Sequence, residues 1–335
     1  MKLRIRPMSE SDADYAATAD IWTANWPEYP KTAEMYRYSA ETRDPMSILG
    51  RLVAEDGDGI VATGYFREES DNVAEGKFLL YTQVHPDHHG VGIGGALFDD
   101  LLEHLEVHSP KILSSFTRED HEAGVAFLEK RGFRVAMKEQ DSELDLSTFD
   151  PAKFVGVVEK VRESGIEILP ASELAKRDPG WMTRAWELHG EIIPDVPDDD
   201  VLTNVPYEQF DKSFKHPDFI PEGYFLALDG DRYVGMSSVW NRRVKKGEVY
   251  TRLTGVVRSH RRRGIATALK IRAQEFAKSM GARVVVTDNE ENNPMYDLNV
   301  QLGFRPTKAW LQFRKELGAT RDSGATGGPG PTTDE

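Results

Sequence analysis

Apolar side chains recur with helical spacing in two stretches of the chain. They return every three or four positions from Ile93 onwards, and again from Ile265 onwards. A period near 3.6 residues is typical of a helix that packs one face on a core. Each stretch follows an apolar-rich run and a polar turn, which predicts a strand–turn–helix unit twice. The stripes are Ile93, Leu97, Leu101 and Leu105, and Ile265, Leu269, Ala273, Phe276 and Met280.

Shorter apolar-rich runs flank two Asp-Gly pairs. Asp56-Gly57 and Asp229-Gly230 each lie between such runs, which is the pattern of a tight β-hairpin. The second pair follows the first by 173 residues, and Thr254–Leu269 follows the similar stretch Thr82–Leu97 by 172 residues. Nearly equal offsets in the same order indicate two copies of one structural unit.

The first copy also contains Gly90-x-Gly92-x-x-Gly95, the spacing of a dinucleotide-binding loop. The second copy keeps only the middle glycine, as Gly264, and polar residues separate the preceding strand from Gly90. A dinucleotide loop leaves its strand almost directly, so that class of site is not expected. Both copies keep a small residue at the helix start, where free backbone amides favour an anion such as pyrophosphate.

The turn before each helix resembles the signature of the GNAT superfamily, the acetyl-CoA-dependent N-acetyltransferases. Residues 261–266, Arg-Arg-Arg-Gly-Ile-Ala, fit it fully, and residues 89–94 fit except at His89. The two copies resemble the arrangement in mycothiol synthase and related tandem acetyltransferases. The resemblance implies an α/β (α+β) fold in which each copy has a mixed, mostly antiparallel sheet with helices on both faces. Its fourth and fifth strands would splay apart around acyl-CoA.

The same resemblance implies which residues bind acetyl-CoA, here a cosubstrate. Its pyrophosphate would lie on the amides at each helix start. Asn292 would contact the pantetheine arm, at a position where the first copy has His121. The residues so implied are Val84, His89, Gly90, Val91, Gly92, Ile93, Gly94 and Gly95 in the first copy, and Val257, Arg261, Arg262, Arg263, Gly264, Ile265, Ala266, Thr267 and Asn292 in the second.

Catalysis is expected in the second copy, since His89 and His121 depart from the family pattern in the first. The backbone amide of Val256, or that of its neighbour, would polarise the thioester carbonyl. Many family members have a tyrosine at the position of Asn299, so Tyr296, three residues earlier on the same predicted helix, is the candidate acid. Asn299 could orient the thioester or a proton-bearing water. The N-terminal copy is left with three roles: binding acyl-CoA without reaction, acting on another acceptor, or a purely structural one.

The base is not identified by the sequence, because residues 78–84 and 249–256, the predicted fourth strands, contain no carboxylate. A water chain, a carboxylate of the acceptor loop, or an amine that arrives partly neutral all remain open. The acceptor loop of the second copy is acidic, which would attract an amine, although a solvated surface explains it equally. Its carboxylates are Glu191, Asp195, Asp198, Asp199, Asp200 and Glu208.

Composition narrows the chemistry. The 335 residues include no cysteine, so a cysteinyl-acyl intermediate is excluded and direct attack in a ternary complex is expected. The second copy does not keep the cluster His85, His88 and His89, and no metal is predicted. The formal net charge of -14 argues against nucleic-acid binding. No signal region or membrane span is evident, so a cytoplasmic protein without a membrane partner is expected.

The sequence thus predicts an acyl-CoA-dependent N-acetyltransferase for a small-molecule amine, and the net charge is compatible with a cationic one. The alternative is a non-catalytic acyl-CoA-binding or sensor protein. The oligomeric state stays open. The expected organisation is an N-terminal copy (1–146), a linker helix (147–165), a C-terminal copy (166–317) and a disordered tail (318–335), the last because it is rich in Gly, Pro, Ser and Thr.

Overall fold

The computed structural model describes residues 3–57, 59–69 and 74–318. The predicted tail lies outside the described residues apart from Gly318. The strands and helices of the first half of the chain follow in this order: β1 (Arg4–Pro7), α1 (Asp12–Asn25), α2 (Ala33–Thr42), β2 (Leu49–Asp56), β3 (Gly59–Glu68), β4 (Lys77–Val84), α3 (Ile93–Glu106), β5 (Ile112–Arg118), α4 (Glu122–Lys130) and β6 (Arg134–Asp145).

The second half repeats this order after a connecting helix, α5 (Val155–Glu163), which a short 3-10 helix at Pro151–Phe154 precedes. Its elements are β7 (Ile166–Pro170), α6 (Ala171–Arg177), α7 (Trp181–Ile192), α8 (Tyr207–Ser213), β8 (Tyr224–Asp229), β9 (Arg232–Asn241), β10 (Glu248–Thr251), β11 (Gly255–Val256), α9 (Ile265–Ser279), β12 (Val284–Glu290), α10 (Pro294–Gln301) and β13 (Arg305–Glu316).

The two copies exchange their final strands. Within the described residues one continuous sheet runs β1-β2-β3-β4-β5-β13-β6-β12-β10-β9-β8-β7, and β11 pairs with β9. The last strand of the C-terminal copy, β13, therefore pairs with β5 of the N-terminal copy, while β6 pairs with β12. The two exchanged strands also pair with each other. Each copy thus completes the sheet of the other.

The predicted hairpins and splayed strands are confirmed. Asp56 pairs with Gly59 and Asp229 with Arg232 across tight turns. In each copy the fourth and fifth strands run parallel and pair at three positions before they separate, at Lys77–Leu79 in β4 and at Glu248–Tyr250 in β10. The backbone beyond those points is free to line a gap between the strands.

The two helical stripes are confirmed, with one exception. Helix α3 buries Ile93, Leu97, Leu101 and Leu105, and α9 buries Ile265, Leu269 and Ala273. Met280 was wrongly included, because α9 ends at Ser279 and the Met280 side chain is 43% exposed. Helix α5 packs against α9. Of the helices in the described ranges, none has the length and apolar character needed to cross a membrane.

Candidate active site

A cleft of about 1060 Å³ opens in the C-terminal copy where β10 and β12 separate. Its walls come from β10, β11, the start of α9 and α10, and from the acidic loop, defined here as residues 193–205. The signature residues of the second copy meet in this C-terminal cleft. Those lining it are Val256, Arg261, Arg262, Gly264, Ile265, Ala266 and Thr267.

The start of α9 is suited to an anion. Gly264 adopts the left-handed region at φ 83°, which glycine reaches without the strain that a side chain would cause. The first backbone bond of the helix runs from the Ala268 amide to the Gly264 carbonyl. No described side chain caps the helix start. The preceding amides therefore carry the positive end of the helix dipole into the C-terminal cleft.

Arg261 fixes the geometry between strand and helix. Its Nε donates to the Val256 carbonyl at 2.9 Å, and its Nη2 donates to Asp195 in the acidic loop. Hydrogen bonds from Arg258 and then Arg261 lower the pKa of Asp195 to about 2. The acidic loop is thus anchored by an ionised carboxylate at the anion end of the cleft.

The Val256 amide is placed to face the cleft. The neighbouring amide, that of Val257, donates to the Val234 carbonyl at 3.0 Å, and Val257 itself is buried in the core. Successive amides of an extended strand point in opposite directions. The Val256 N–H therefore points away from β9 and towards the gap.

The other predicted residues of the second copy lie outside the cleft lining. Arg263 is exposed, and exposed Asn292 donates from its backbone and its side chain to Glu290. Its neighbour Asn293, which caps α10, lines the cleft instead. Tyr296 is partly exposed on α10 and is not among the lining residues.

Asn299 lies just behind the cleft wall. Its side chain is fully buried, and its Nδ2 donates at 2.5 Å to Asn289, which does line the cleft. The Asn299 Oδ1 has no partner within the described part of the chain. The side chain therefore orients Asn289 and leaves one buried acceptor unsatisfied. The roles predicted for Tyr296 and Asn299 stay predictions.

Three titratable groups of the cleft were not predicted from the sequence. Tyr250 on β10 donates to Asp288 on β12, and Glu139 on exchanged strand β6 lines the same cleft. Burial, followed by the nearby Asp288, raises the pKa of Glu139 to about 7. The alternation Glu139, Asp141, Glu143 on one face of a long strand was the available signal, but it does not say which cavity those carboxylates face.

Lys270 also lines the C-terminal cleft. Its side chain is 1% exposed, its Nζ lies 5.5 Å from the centre of the Phe304 ring, and burial lowers its pKa to about 7. A buried lysine of this kind is partly neutral at pH 7. It therefore carries only part of a positive charge near pH 7.

A second cavity of about 630 Å³ lies between the copies, and we name it the inter-copy chamber. It shares Glu139, Tyr250 and Asp288 with the C-terminal cleft, so the two spaces adjoin. Its acidic lining residues outnumber its basic ones, Lys31, Arg242 and Arg252. The acidic and aromatic lining consists of Glu28, Glu139, Asp141, Glu143, Asp218 and Asp288, and of Trp22, Tyr29, Phe116, Trp240, Tyr250 and Trp310.

The chain itself places an ammonium group on an aromatic ring in this chamber. The Nζ of Lys31 lies 3.5 Å from the centre of the Trp22 ring. Burial lowers the pKa of Lys31 to about 8. Attraction between a cation and an aromatic face is worth more when water is excluded. The lining is therefore of a kind that accommodates organic cations.

The N-terminal copy keeps the signature geometry. Gly92 adopts φ 89° before α3, as Gly264 does before α9. His89 takes over the contact of Arg261, since its Nε2 lies 2.8 Å from the Val84 carbonyl and must donate to it. Asn25 donates to the same carbonyl at 2.9 Å. The remaining predicted residues of this copy, Gly90, Val91, Ile93, Gly94 and Gly95, lie in the turn and the first turn of α3.

Aromatic side chains fill the gap between β4 and β5 in the N-terminal copy. The Tyr81 ring stacks on Phe116 with centroids 4.4 Å apart, and Trp26 donates from Nε1 to the Tyr81 hydroxyl at 3.2 Å. The Trp26 ring also contacts His121 and Trp310, at 5.4 and 5.0 Å between ring centres. These rings therefore pack against one another across the point where β4 and β5 separate.

Within the described residues, His85, His88 and His89 are not part of any group of three or more potential ligands placed to hold an ion. His85 accepts from the Asp87 amide at 3.3 Å, and His89 is engaged with Val84.

Family models and solved structures match this arrangement. A model described as acetyltransferase (GNAT) family matches residues 183–304, and one described as acetyltransferase (GNAT) domain matches residues 50–135. No curated protein sequence matches the chain.

Three solved structures are similar over nearly the whole chain. A tandem GNAT protein from the clavulanic acid biosynthesis pathway has a TM-score of 0.72 at 19% identity, covering 95% of this chain and 100% of its own. A GCN5-related N-acetyltransferase from Sphaerobacter thermophilus has a TM-score of 0.68 at 20% identity, covering 94% and 95%. The glucosamine N-acetyltransferase region of a fungal GH3 β-N-acetylglucosaminidase has 0.72 at 15%, covering 94% and 38%. At these identities the likeness concerns the fold.

Proposed function

This chain belongs to the GNAT acetyltransferase family and carries two copies of its fold, and we propose that its C-terminal copy transfers acetyl from acetyl-CoA to an amine. The observation that carries this proposal is the contrast between the two gaps. The C-terminal cleft is open and lined by the signature residues, whereas the rings of Trp26, Tyr81 and Phe116 fill the N-terminal gap. The C-terminal copy therefore catalyses the reaction, and the N-terminal copy supports the structure of its site.

Acetyl-CoA would bind along the strand and helix that form the cleft. The amides that begin α9, together with Arg262, would receive the pyrophosphate. The Val256 amide would donate to the thioester oxygen, where negative charge develops as the amine attacks. Because the chain has no cysteine, the amine attacks the thioester directly in a ternary complex.

The acceptor would enter through the inter-copy chamber. Its carboxylates and aromatic faces suit a small amine that arrives as a cation. The acidic loop supplies less of this attraction than its composition suggests, because Asp195 is paired with Arg258 and Arg261, and Asp199 with Lys77. A cationic acceptor would therefore be recognised by the shared sheet rather than by the acidic loop.

Isothermal titration of the full chain with acetyl-CoA, followed by measurement of CoA thiol release with added primary amines, tests the proposal. We expect one acetyl-CoA per chain and amine-dependent thiol release. Binding without transfer to any amine would favour a non-catalytic acyl-CoA sensor. No binding at all would reject both, and two equivalents would show that the N-terminal gap opens.

A further inference from the structure

We propose that Glu139, which the N-terminal copy contributes through its exchanged strand, takes the proton from the acceptor amine in the C-terminal cleft. This inference rests on the proposed function. It assigns the catalytic base to the opposite copy, so that a complete active site requires both halves of the chain.

The position of Glu139 is the first argument. The residue lines both the C-terminal cleft and the inter-copy chamber, at the boundary that an amine crosses on its way to the thioester. It lies on β6, next to β12 in the shared sheet, and pairs with Glu290 in register. Strand exchange is what brings a residue of the N-terminal sequence to this boundary.

The hydrogen bonds of the neighbouring carboxylates are the second argument. Asp288 accepts from the Tyr250 hydroxyl, and Asp141 accepts from the Tyr29 hydroxyl and, at 3.2 Å, from Trp310 Nε1. Donors of this kind favour the charged form of a carboxylate. Burial still raises the pKa of Asp141 to about 6, but the hydrogen bond from Tyr29 opposes that rise.

The carboxylate of Glu139 accepts a longer hydrogen bond than the one that Tyr250 donates to Asp288. Its Oε2 accepts from the Gln312 amide at 3.1 Å, and its Oε1 has no partner within the described ranges. That oxygen is free to accept a proton from a substrate. Glu143, further along the same strand, is exposed and lines only the chamber.

The groups around Glu139 give it a pKa that suits a base near neutral pH. Burial is the largest cause that raises the pKa of Glu139 to about 7, and Asp288 on β12 is the second. Asp141 on the same strand also raises this pKa, whereas the hydrogen bond from Gln312 on β13 lowers it. Tyr250 on β10 keeps its proton, because burial and then Asp288 raise its pKa well above the usual value. A base that is about half ionised near pH 7 is well matched to proton transfer.

The proposed step balances as follows. The carboxylate of Glu139 takes one proton from the substrate ammonium, and the neutral nitrogen forms a bond to the thioester carbon. The carbon–sulfur bond breaks and its electron pair leaves with sulfur. The second nitrogen proton passes to that sulfur, which gives the amide and the CoA thiol. Glu139 then releases its proton to solvent.

The test compares Glu139→Gln and Glu139→Asp with Glu129→Gln as the matched control, because Glu129 is exposed on α4 and lines neither the cleft nor the chamber. Rates of CoA release are measured from pH 5.5 to 9, a range of roughly two units either side of neutrality, with 2-phenylethylamine, tryptamine and spermidine as probes. A substituted aniline, which is already neutral at pH 7, serves as a probe that needs no base. Acetyl-CoA affinity is measured in parallel by titration.

We expect Glu139→Gln to lower kcat for the alkylamines by about 100-fold or more and to remove the rise in rate near pH 7. The aniline rate and the acetyl-CoA affinity should change little, Glu139→Asp should restore part of the rate, and Glu129→Gln should behave as wild type. Retention of the rise near pH 7 in Glu139→Gln, or an equal loss with aniline, would overturn the assignment alone. Failure of the wild type to acetylate any probe would overturn the proposed function and this assignment with it.

Discussion

Replacing Lys77 with methionine should destabilise the whole protein, because Lys77 connects the two copies. Its side chain is 3% exposed, and its Nζ lies 2.6 Å from Asp199 and 2.9 Å from Asp200. Both carboxylates belong to the acidic loop of the C-terminal copy, whereas Lys77 begins β4 of the N-terminal copy. Burial opposes its charge, but the hydrogen bonds that it donates to the two aspartates outweigh that effect and raise its pKa. Methionine fills a similar volume without the charge.

The size of the effect depends on which partner the two aspartates keep after Lys77 is replaced. Removing one partner of a buried ion pair costs about 3–5 kcal/mol. Arg314 on β13 still holds Asp200 at 2.7 Å and Asp199 at 3.5 Å, so the lower end, about 3 kcal/mol, is expected. If the whole described chain unfolds as one cooperative unit, the unfolding entropy is about 2.1 cal/mol/K per residue. A loss of about 3 kcal/mol then corresponds to a fall in Tm of about 5 °C.

Urea and thermal unfolding of the full chain measure the change. Lys215→Met is the control, because Lys215 also forms an ion pair, with Asp211 at 2.6 Å, but its side chain is 70% exposed. Exposed pairs contribute little, so its Tm should not move. Adding Asp199→Asn to Lys77→Met should recover part of the loss. A Lys77→Met protein as stable as the Lys215→Met control would refute the reasoning.

Three further outcomes are expected. Ala266→Glu should weaken acetyl-CoA binding by about 100-fold or more, because the new carboxylate would repel the pyrophosphate charge ~5 Å away at an effective dielectric constant of ~20. Gly94→Glu, at the matching N-terminal position, should leave the titration unchanged. Equal losses of affinity in the two variants would contradict the choice of copy. Residues 1–146 expressed alone should fail to give a monomer with a cooperative unfolding transition, because β5 loses its partner β13; a stable monomer would contradict this. Because the pKa of Glu139 is raised in the folded state, its contribution to stability is present below about pH 4.5 and is lost as pH rises through about 7. The Tm of Glu139→Gln should therefore rise relative to that of the wild type between pH 5 and pH 8. A difference in Tm that stays constant over this range would argue against the raised pKa.

The choice of Ala266 rather than Gly264 for that experiment comes from the structure. A Cβ on Gly264 would lie 2.9 Å from Val157 of α5, and the backbone φ of 83° disfavours any side chain there. Substitution at Gly264 would therefore perturb the contact between α5 and α9 as well as the anion site. Ala266 already carries a Cβ and lines the cleft.

Much of the site could be predicted from local sequence. The turn from residue 257 to Gly264 and the helix that follows are determined by residues close in the chain, through the glycine conformation and the apolar stripe. Seven of the residues so predicted, five of them in the signature at 261–266, line one cleft. Asn292 shows their limit, because a one-residue difference in the turn before α10 presents Asn293 to the cleft instead.

By itself the sequence determined that the chain has two copies of one unit, where their helices and hairpins lie, and which residues form the turn before α3 and the turn before α9. These features depend on spacing within a few residues. Only the tertiary structure decided that β6 and β13 are exchanged, that aromatic rings fill the N-terminal gap, and that Glu139 reaches the C-terminal cleft. A strand pattern shows which side chains share a face but not which distant strand will pair with it. That choice depends on the packing of the whole sheet, and it places the proposed base in the opposite copy.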